Sequence, residues 1–243
     1  MSDGGAVAVT SEQRSWARLA GIMMFANYLL QGLGDYPTII ARTGETFVER
    51  AQWAAASQPL YRIALLEVTG AWLAIGVFAF AMYVVLAPVD KRLAQLALVL
   101  RLGASFVGAS AMMFRTMEAR LFAAWATPGL FTTEQLEALV LASRRGAGVG
   151  IQTAWILQGL GSALFFLLLW RSRYIPRWVA GLGFVGSGVV IALMSAAMFV
   201  FPERINQLKP IGLPGVLADV AMSVLFIKGL PRARTGAAGE GSS

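Results

Sequence analysis

The chain has no cysteine and no histidine among its 243 residues. The lack of cysteine excludes disulfides and thiol nucleophiles, and the lack of histidine removes imidazole bases and the usual zinc sites. Charged residues are also scarce, at 14% of the chain, whereas a soluble domain carries about 25%. Any catalysis must therefore use carboxylates, arginine, lysine, tyrosine or hydroxyl groups, and we expect neither a bound metal nor a cofactor.

Long apolar runs are abundant instead, and 57% of the residues are hydrophobic. A helix of about 20 apolar residues crosses a bilayer, and its backbone groups pair within the segment. The sequence therefore predicts an all-α, polytopic membrane helical bundle with about six transmembrane helices. The predicted spans are Trp16–Gly34, Tyr61–Ala87, Leu93–Met117, Val149–Trp170, Trp178–Phe201 and Leu213–Leu230.

The two longer loops, Asp35–Leu60 and Glu118–Gly148, each contain a pattern typical of a short helix. Thr132 to Gln135 matches a capping box and precedes helically spaced apolar residues. We expect two short interfacial helices on the outer side. The remaining chain is interpreted as a disordered tail over 1–15, a single transmembrane domain over 16–231 and a second disordered tail over 232–243.

The formal charge of +7 comes from basic residues in short segments between apolar runs. That arrangement indicates membrane topology and contact with lipid headgroups, and no nucleic-acid partner is expected. The positive-inside rule predicts that both termini face the cytoplasm. No feature of the sequence sets an oligomeric state.

Several junctions between helices resemble one bacterial membrane family. They are Pro88–Leu102, Ser172–Trp178, Ala218–Gly229 and Pro59–Arg62. Together they resemble the family labelled domain of unknown function 4386. The resemblance implies six helices in a bacterial plasma membrane and no particular activity. Asp219 stands where that family usually has Glu, and Phe226 stands where Trp is common.

Four ionisable residues lie inside the predicted spans: Glu67, Arg101, Arg115 and Asp219. Such residues are costly in hydrocarbon, so they are expected to face the bundle interior and pair with one another. At a rise of about 1.5 Å per residue, Glu67 and Asp219 both lie roughly 9 Å from the outer face. The two arginines and further polar or aromatic side chains at similar heights predict one ligand pocket: Asn27, Gln31, Arg101, Arg115, Gln152, Trp155 and Gln158.

Several functions are compatible with these charges. The first is an enzyme in which Glu67 or Asp219 is a general acid toward a lipophilic, isoprenoid-like substrate, in the manner of a cyclase or isomerase. Membrane terpene cyclases have a comparable layout of carboxylates, but this is an analogy of layout alone. The alternatives are a small transporter, against which no repeat or interrupted helix is visible, and a scaffold whose charges form structural salt bridges.

Overall fold

The computed structural model describes residues 9–40, 46–125, 127, 129, 131–201 and 212–230, with the backbone alone for 35–40. These ranges contain seven helices and no strand, which confirms the predicted all-α class. The helices are α1 (Ser11–Ile40), α2 (Phe47–Ala56), α3 (Gln58–Leu86), α4 (Lys91–Ala124), α5 (Thr133–Ser172), α6 (Arg177–Val200) and α7 (Leu213–Lys228). The predicted tail 232–243 and residues 1–8 of the other tail lie outside the described residues.

Helices α3, α4, α5 and α6 are long and apolar enough to cross a membrane. The protein is therefore an integral membrane protein. Helix α1 has 30 residues, but polar side chains such as Asn27 and Gln31 interrupt its apolar run. Helix α7 has 16 residues, fewer than the roughly 20 that span a bilayer. Six spans thus remain a prediction.

The second predicted loop is much shorter than expected. Helix α4 continues to Ala124, and α5 begins at Thr133 behind the predicted capping box of Thr132 and Gln135. The predicted interfacial helix and the fourth span are therefore one helix of 40 residues. The helix continues through its glycines. Gly150 allows a close approach to α4, because a Cβ there would lie 2.7 Å from that of Ala111. The short helix predicted in the first loop is present as α2.

Helix α1 packs antiparallel against α3. The Gln13 side-chain amide donates a 3.1 Å hydrogen bond to the Val85 carbonyl at one end of this contact. Gly34 lies against Val68 at the other end, where a Cβ would come within 2.6 Å of the valine side chain. Helix α1 begins at Ser11, earlier than the predicted start at Trp16.

Helix α7 packs against the other side of α1, also antiparallel, since Gly21 meets Phe226 and Tyr28 meets Asp219. The other helices that follow one another along the chain and pack together are also antiparallel. The start of α1 and the end of α7 therefore lie at one end of the bundle, here named the basic end. It carries Arg14, Arg18, Lys91, Arg92, Arg171, Arg173, Arg177 and Lys228. The opposite end is named the α2 end.

Helix α6 contains a π-helical segment, Phe184–Val190, which includes close contacts with α5 and α7. A Cβ on Gly186 would lie 2.5 Å from the Gly215 nitrogen of α7, and one on Gly188 would lie 2.8 Å from Ala163 of α5. Small residues at such spacing let backbones touch in the membrane. These glycines are helix-packing surfaces between α5, α6 and α7.

Candidate functional site

Asp219 is a buried carboxylate on α7, with 5% of the residue exposed. The Tyr28 hydroxyl of α1 donates a 2.7 Å hydrogen bond to its Oδ2 atom. Charged side chains are expensive inside a membrane and normally mark a partner or a functional site. The phenol thus gives the carboxylate a polar partner inside the bundle.

Arg101 of α4 is 1% exposed and faces this pair. Its Nη1 atom donates to the Ser162 hydroxyl at 2.9 Å, and its guanidinium carbon lies 4.9 Å from the centre of the Phe78 ring. It interacts electrostatically with Asp219 and Tyr28. Its Nε and Nη2 atoms have no hydrogen-bond partner among the described residues, so the guanidinium keeps donor groups for another acceptor.

The π-helical segment of α6 closes the same region. The Ser187 hydroxyl donates a 2.8 Å hydrogen bond to the Gly215 carbonyl and lies beside Asp219. Such segments are frequent at functional sites, because the added backbone width shifts side chains out of helical register. We name Tyr28, Arg101, Ser162, Ser187 and Asp219 the central cluster. Five helices contribute to it: α1, α4, α5, α6 and α7.

Glu67 lies outside the central cluster. It precedes Val68, which packs against Gly34 of α1, and Gly34 stands six residues beyond Tyr28, or about 9 Å along the helix. Glu67 is half-buried and forms no ion pair within the described part of the chain. The two acids predicted at one depth are thus displaced along the bundle, and Asp219 alone joins the central cluster.

Arg115 belongs to a separate ionic network near the α2 end. Its Nη1 atom lies 3.3 Å from the Glu118 carboxylate, and Arg144 of α5 binds the same carboxylate at 2.6 Å and 3.0 Å. Glu118 is 1% exposed. The expected pairing of Arg115 with Glu67 or Asp219 is therefore not seen, because a nearer acid takes its place. We name Arg115, Glu118 and Arg144 the Glu118 network.

The predicted amides occupy different surroundings. Asn27 is buried beside Tyr28 and accepts a 3.0 Å hydrogen bond from Gln31 of the same helix. Gln152 and Gln158 are half-buried, and the Gln158 Oε1 atom has no partner among the described residues. Trp155 packs on an apolar cluster with Trp72, Ala111 and Met112. Their proposed contact with a ligand stays a prediction.

Sequence reasoning missed Tyr28, Ser162 and Ser187 of the central cluster. Tyr28 follows Asn27 directly in an apolar run, which was a usable signal, whereas the two serines resemble any small residue at a helix contact. Glu118 was missed because the third span was ended at Met117. No group of acids that could hold a metal ion occurs in the described ranges.

Three concavities on the described surface lie away from the central cluster. The largest is a groove of about 600 Å³ between α4 and α5, lined by Phe106, Met113, Phe114 and other apolar residues. None of the three is lined by a residue of the central cluster.

Comparisons with curated proteins and with solved structures give no match. The family model described as "Domain of unknown function (DUF4386)" matches residues 19–229, a range that includes all seven helices in whole or in part. The chain therefore belongs to the DUF4386 family of proteins.

Proposed function

We propose that the protein binds a lipophilic small molecule between its helices and transfers a proton at Asp219, as a membrane-embedded isomerase or cyclase does. The observation that carries the proposal is the buried Tyr28–Asp219 pair beside Arg101, two of whose nitrogens have no acceptor in the described residues. A buried donor without a partner costs about 1–3 kcal/mol, so an acceptor from a ligand would recover that free energy.

The chemistry follows from the three charged or polar groups. Asp219, which pairs with Tyr28 and Arg101 as a carboxylate when no ligand is bound, would take up a proton when a lipophilic ligand desolvates it, and would donate that proton to a carbon–carbon double bond or to an oxygen of the substrate. The carboxylate left behind would be stabilised by the Tyr28 hydroxyl and by the positive charge of Arg101. The proton returns to Asp219 when the product forms, so the reaction needs no oxidant or cofactor. An isoprenoid substrate fits the apolar surroundings, and the Phe78 ring, which lies 4.9 Å from the Arg101 guanidinium carbon, is an aromatic group beside the central cluster.

The site's setting is part of the proposal. The basic end of the bundle favours the cytoplasmic side, because arginine and lysine accumulate there in membrane proteins. The protein would then lie in a bacterial plasma membrane, with membrane lipids as partners and both termini in the cytoplasm. Glu67 would serve as a second, half-buried acid nearer the outer face, and not as the partner of Asp219.

A proton-coupled carrier is the second candidate, and one observation favours it. The sequence showed no interrupted helix, but α6 is irregular over Phe184–Val190, next to Asp219. Transporters bind their substrates at irregular helices near the middle of the membrane. In that case Asp219 would load and release a proton during transport, and changing it to Asn would abolish flux without requiring any chemical conversion of the substrate.

The test compares Asp219→Asn with Glu118→Gln in detergent. Both acids are buried, but Glu118 is directly paired with two arginines, so it is the reference for a structural acid. If Asp219 is functional, its variant should lose clearly less stability than Glu118→Gln, because a functional acid is held at a cost in stability that offsets part of the loss of its pairing with Arg101. Glu118→Gln should unfold at a clearly lower temperature.

The same preparations give a second measurement. Organic extracts of the purified parent and of Asp219→Asn would be compared by mass spectrometry for lipophilic molecules other than phospholipids. We expect a molecule that is enriched in one of the two proteins, since a proton-transfer variant accumulates substrate or loses its ligand. A variant that is destabilised as much as Glu118→Gln, with an unchanged extract, would instead show that Asp219 is structural.

A further inference from the structure

One of the three concavities lies at the basic end, away from the central cluster. It has a volume of about 470 Å³ and separates the α5–α6 loop from the end of α7. Its lining consists of Arg173–Arg177, together with Leu225 and Gly229. The cavity thus combines two exposed guanidinium groups with an apolar wall at the level where the bundle leaves the membrane.

Positive charge in this cavity is not balanced by nearby acids. Arg171, in the same loop, lies 3.8 Å from Asp90, but Arg173 and Arg177 have no carboxylate partner within the described ranges. Arg18 adds to the charge, since its Nη2 atom would lie 3.9 Å from a Cβ on Gly229. Burial raises the pKa of the Tyr174 phenol above its ordinary value, so that group stays neutral.

Arg173 occupies a backbone position that favours glycine. It ends α5 in the left-handed region, with φ of 57° and ψ of 26°. Helices commonly end on glycine in this conformation, because a side chain there costs roughly 1 kcal/mol. The chain therefore keeps a guanidinium at the cavity wall against a local conformational cost. Functional sites are a common reason for such a cost.

An apolar groove of about 360 Å³ begins beside this cavity, between α5 and α6. It is lined by Leu167, Trp170, Gly181, Phe184 and Val185. Arg177 joins the two concavities, because it lines the basic cavity and its guanidinium carbon lies 5.9 Å from the Trp170 ring centre. On α6 the groove lining extends from Gly181 to Val185, about 6 Å, and Arg177 lies about 6 Å before it. The groove can therefore hold part of an acyl chain whose headgroup lies at Arg177.

We propose that the two concavities together bind one anionic phospholipid. Its phosphate lies between Arg173 and Arg177, and one acyl chain lies in the α5–α6 groove. Arginine binds phosphate oxygens through two parallel N–H groups, and a basic pocket between helices at the cytoplasmic face is suited to acidic headgroups. This site is independent of the central cluster and of its proposed chemistry.

The experiment measures lipid binding to the purified full chain by native mass spectrometry. Dioleoylphosphatidylglycerol is titrated against dioleoylphosphatidylcholine, which has the same chains and no net charge. The test variant is Arg173→Gly with Arg177→Gln, in which the glycine relieves the backbone cost and so keeps the protein folded. The charge-matched control is Arg120→Gln with Arg145→Gln, since both arginines are exposed near the α2 end.

We expect the parent to bind the anionic lipid at least tenfold more tightly than the neutral one. Each basic residue at an anionic surface contributes about fivefold in affinity, so the test variant should lose roughly 25-fold. The control variant should lose less than twofold. Equal binding of the two lipids, or equal losses in the two variants, would overturn the proposal, because general surface charge would then explain the binding.

A third variant separates a lipid from a free anion. Val185→Trp fills the groove at a residue that is 54% exposed, so the core is not disturbed. It should weaken phosphatidylglycerol binding about tenfold, as expected when a chain loses much of its apolar contact. Unchanged lipid binding in this variant, together with displacement of the lipid by millimolar inorganic phosphate, would show an anion site without a lipid chain and would refute the proposal.

Discussion

The Tyr28 hydroxyl donates a 2.7 Å hydrogen bond to the Asp219 carboxylate across 191 residues of chain. This bond joins α1 to α7. Of the six predicted spans, these are the two whose helices do not meet the length and apolarity needed to cross a membrane. Neither helix is well suited to stand alone in lipid, because α1 carries amides and α7 carries a carboxylate. Their polar faces are buried against each other and against α4, which presents Arg101.

The first prediction concerns this hydrogen bond. Tyr28→Phe removes the hydroxyl and leaves a buried carboxylate oxygen without its donor. A hydrogen bond to a charged group contributes about 1.5–3 kcal/mol to stability, so the variant should be destabilised by roughly that amount. Unfolding in detergent would measure the difference. Tyr83→Phe is the control, since Tyr83 is half-buried and makes no side-chain hydrogen bond that involves its hydroxyl among the described residues.

An equal, small effect of the two tyrosine changes would contradict a strong Tyr28–Asp219 bond. In that case Asp219 would be protonated or solvated in the folded protein, and Tyr28 would act as a packing residue. The comparison therefore also informs the charge state of Asp219, on which the proposed proton transfer depends.

The second prediction concerns the Glu118 network. Glu118→Gln leaves the buried side of Arg115 and Arg144 without a negative charge, which should destabilise the protein by about 3–5 kcal/mol. Adding Arg144→Gln should recover part of that loss, because one uncompensated cation is removed. A double-variant series by thermal unfolding measures the recovery. Additive losses, with no recovery, would show that the two residues do not interact.

The sequence predicted the helical class and the cores of the long spans, because apolar runs of bilayer length have few other interpretations. It predicted Thr132 as a helix start for a local reason, the capping box. It did not predict that this start belongs to the span that follows, since the predicted fourth span begins only at Val149. In the structure α5 continues from Thr133 through Val149 and packs against α4.

The partners of the buried charges were harder to predict than their positions. Arg101 and Asp219 were identified as intramembrane charges, and the structure brings them into one cluster. Arg115 was assigned to the same pocket because it shares a helix face with Arg101. Its true partner, Glu118, falls in a predicted loop, because the predicted span ends at Met117, seven residues before the end of α4. Pairing of buried charges depends on helix ends and neighbours, which periodicity alone does not define.

The third prediction concerns the charges of the central cluster. Arg101→Met should leave Asp219 buried without a nearby cation and lower stability. The double variant Arg101→Met with Asp219→Asn should be at least as stable as the parent, since replacing a buried ion pair by neutral groups is often neutral or stabilising by 1–4 kcal/mol, roughly. Denaturation of the two variants beside the parent measures this. If the loss in the double variant equals the sum of the losses in Arg101→Met and Asp219→Asn, the two sites are not electrostatically coupled.

The fourth prediction concerns the α6–α7 contact. Gly215→Val would place a branched side chain at a position where even an added Cβ would lie 2.7 Å from the Gly186 carbonyl carbon. The two helices must then separate, so we expect a loss of about 3 kcal/mol, at the upper end of the range for overpacked cores. Gly148→Ala is the control, because nothing lies within 4 Å of its added Cβ. Alanine there should stabilise α5 by up to about 1 kcal/mol. A tolerated valine would refute the close contact.

The last prediction concerns topology, and the absence of cysteine makes it simple to test. Single cysteines would be placed at three exposed positions: Thr10 just before α1, Gln52 in α2 and Arg92 at the start of α4. If α1 spans the membrane and both termini are cytoplasmic, a membrane-impermeant maleimide should label only Gln52→Cys in intact cells. Thr10→Cys and Arg92→Cys should react only after permeabilisation. Labelling of Thr10→Cys together with Gln52→Cys would show that α1 does not cross, and Asp219 would then lack the buried environment that the proposed proton transfer requires.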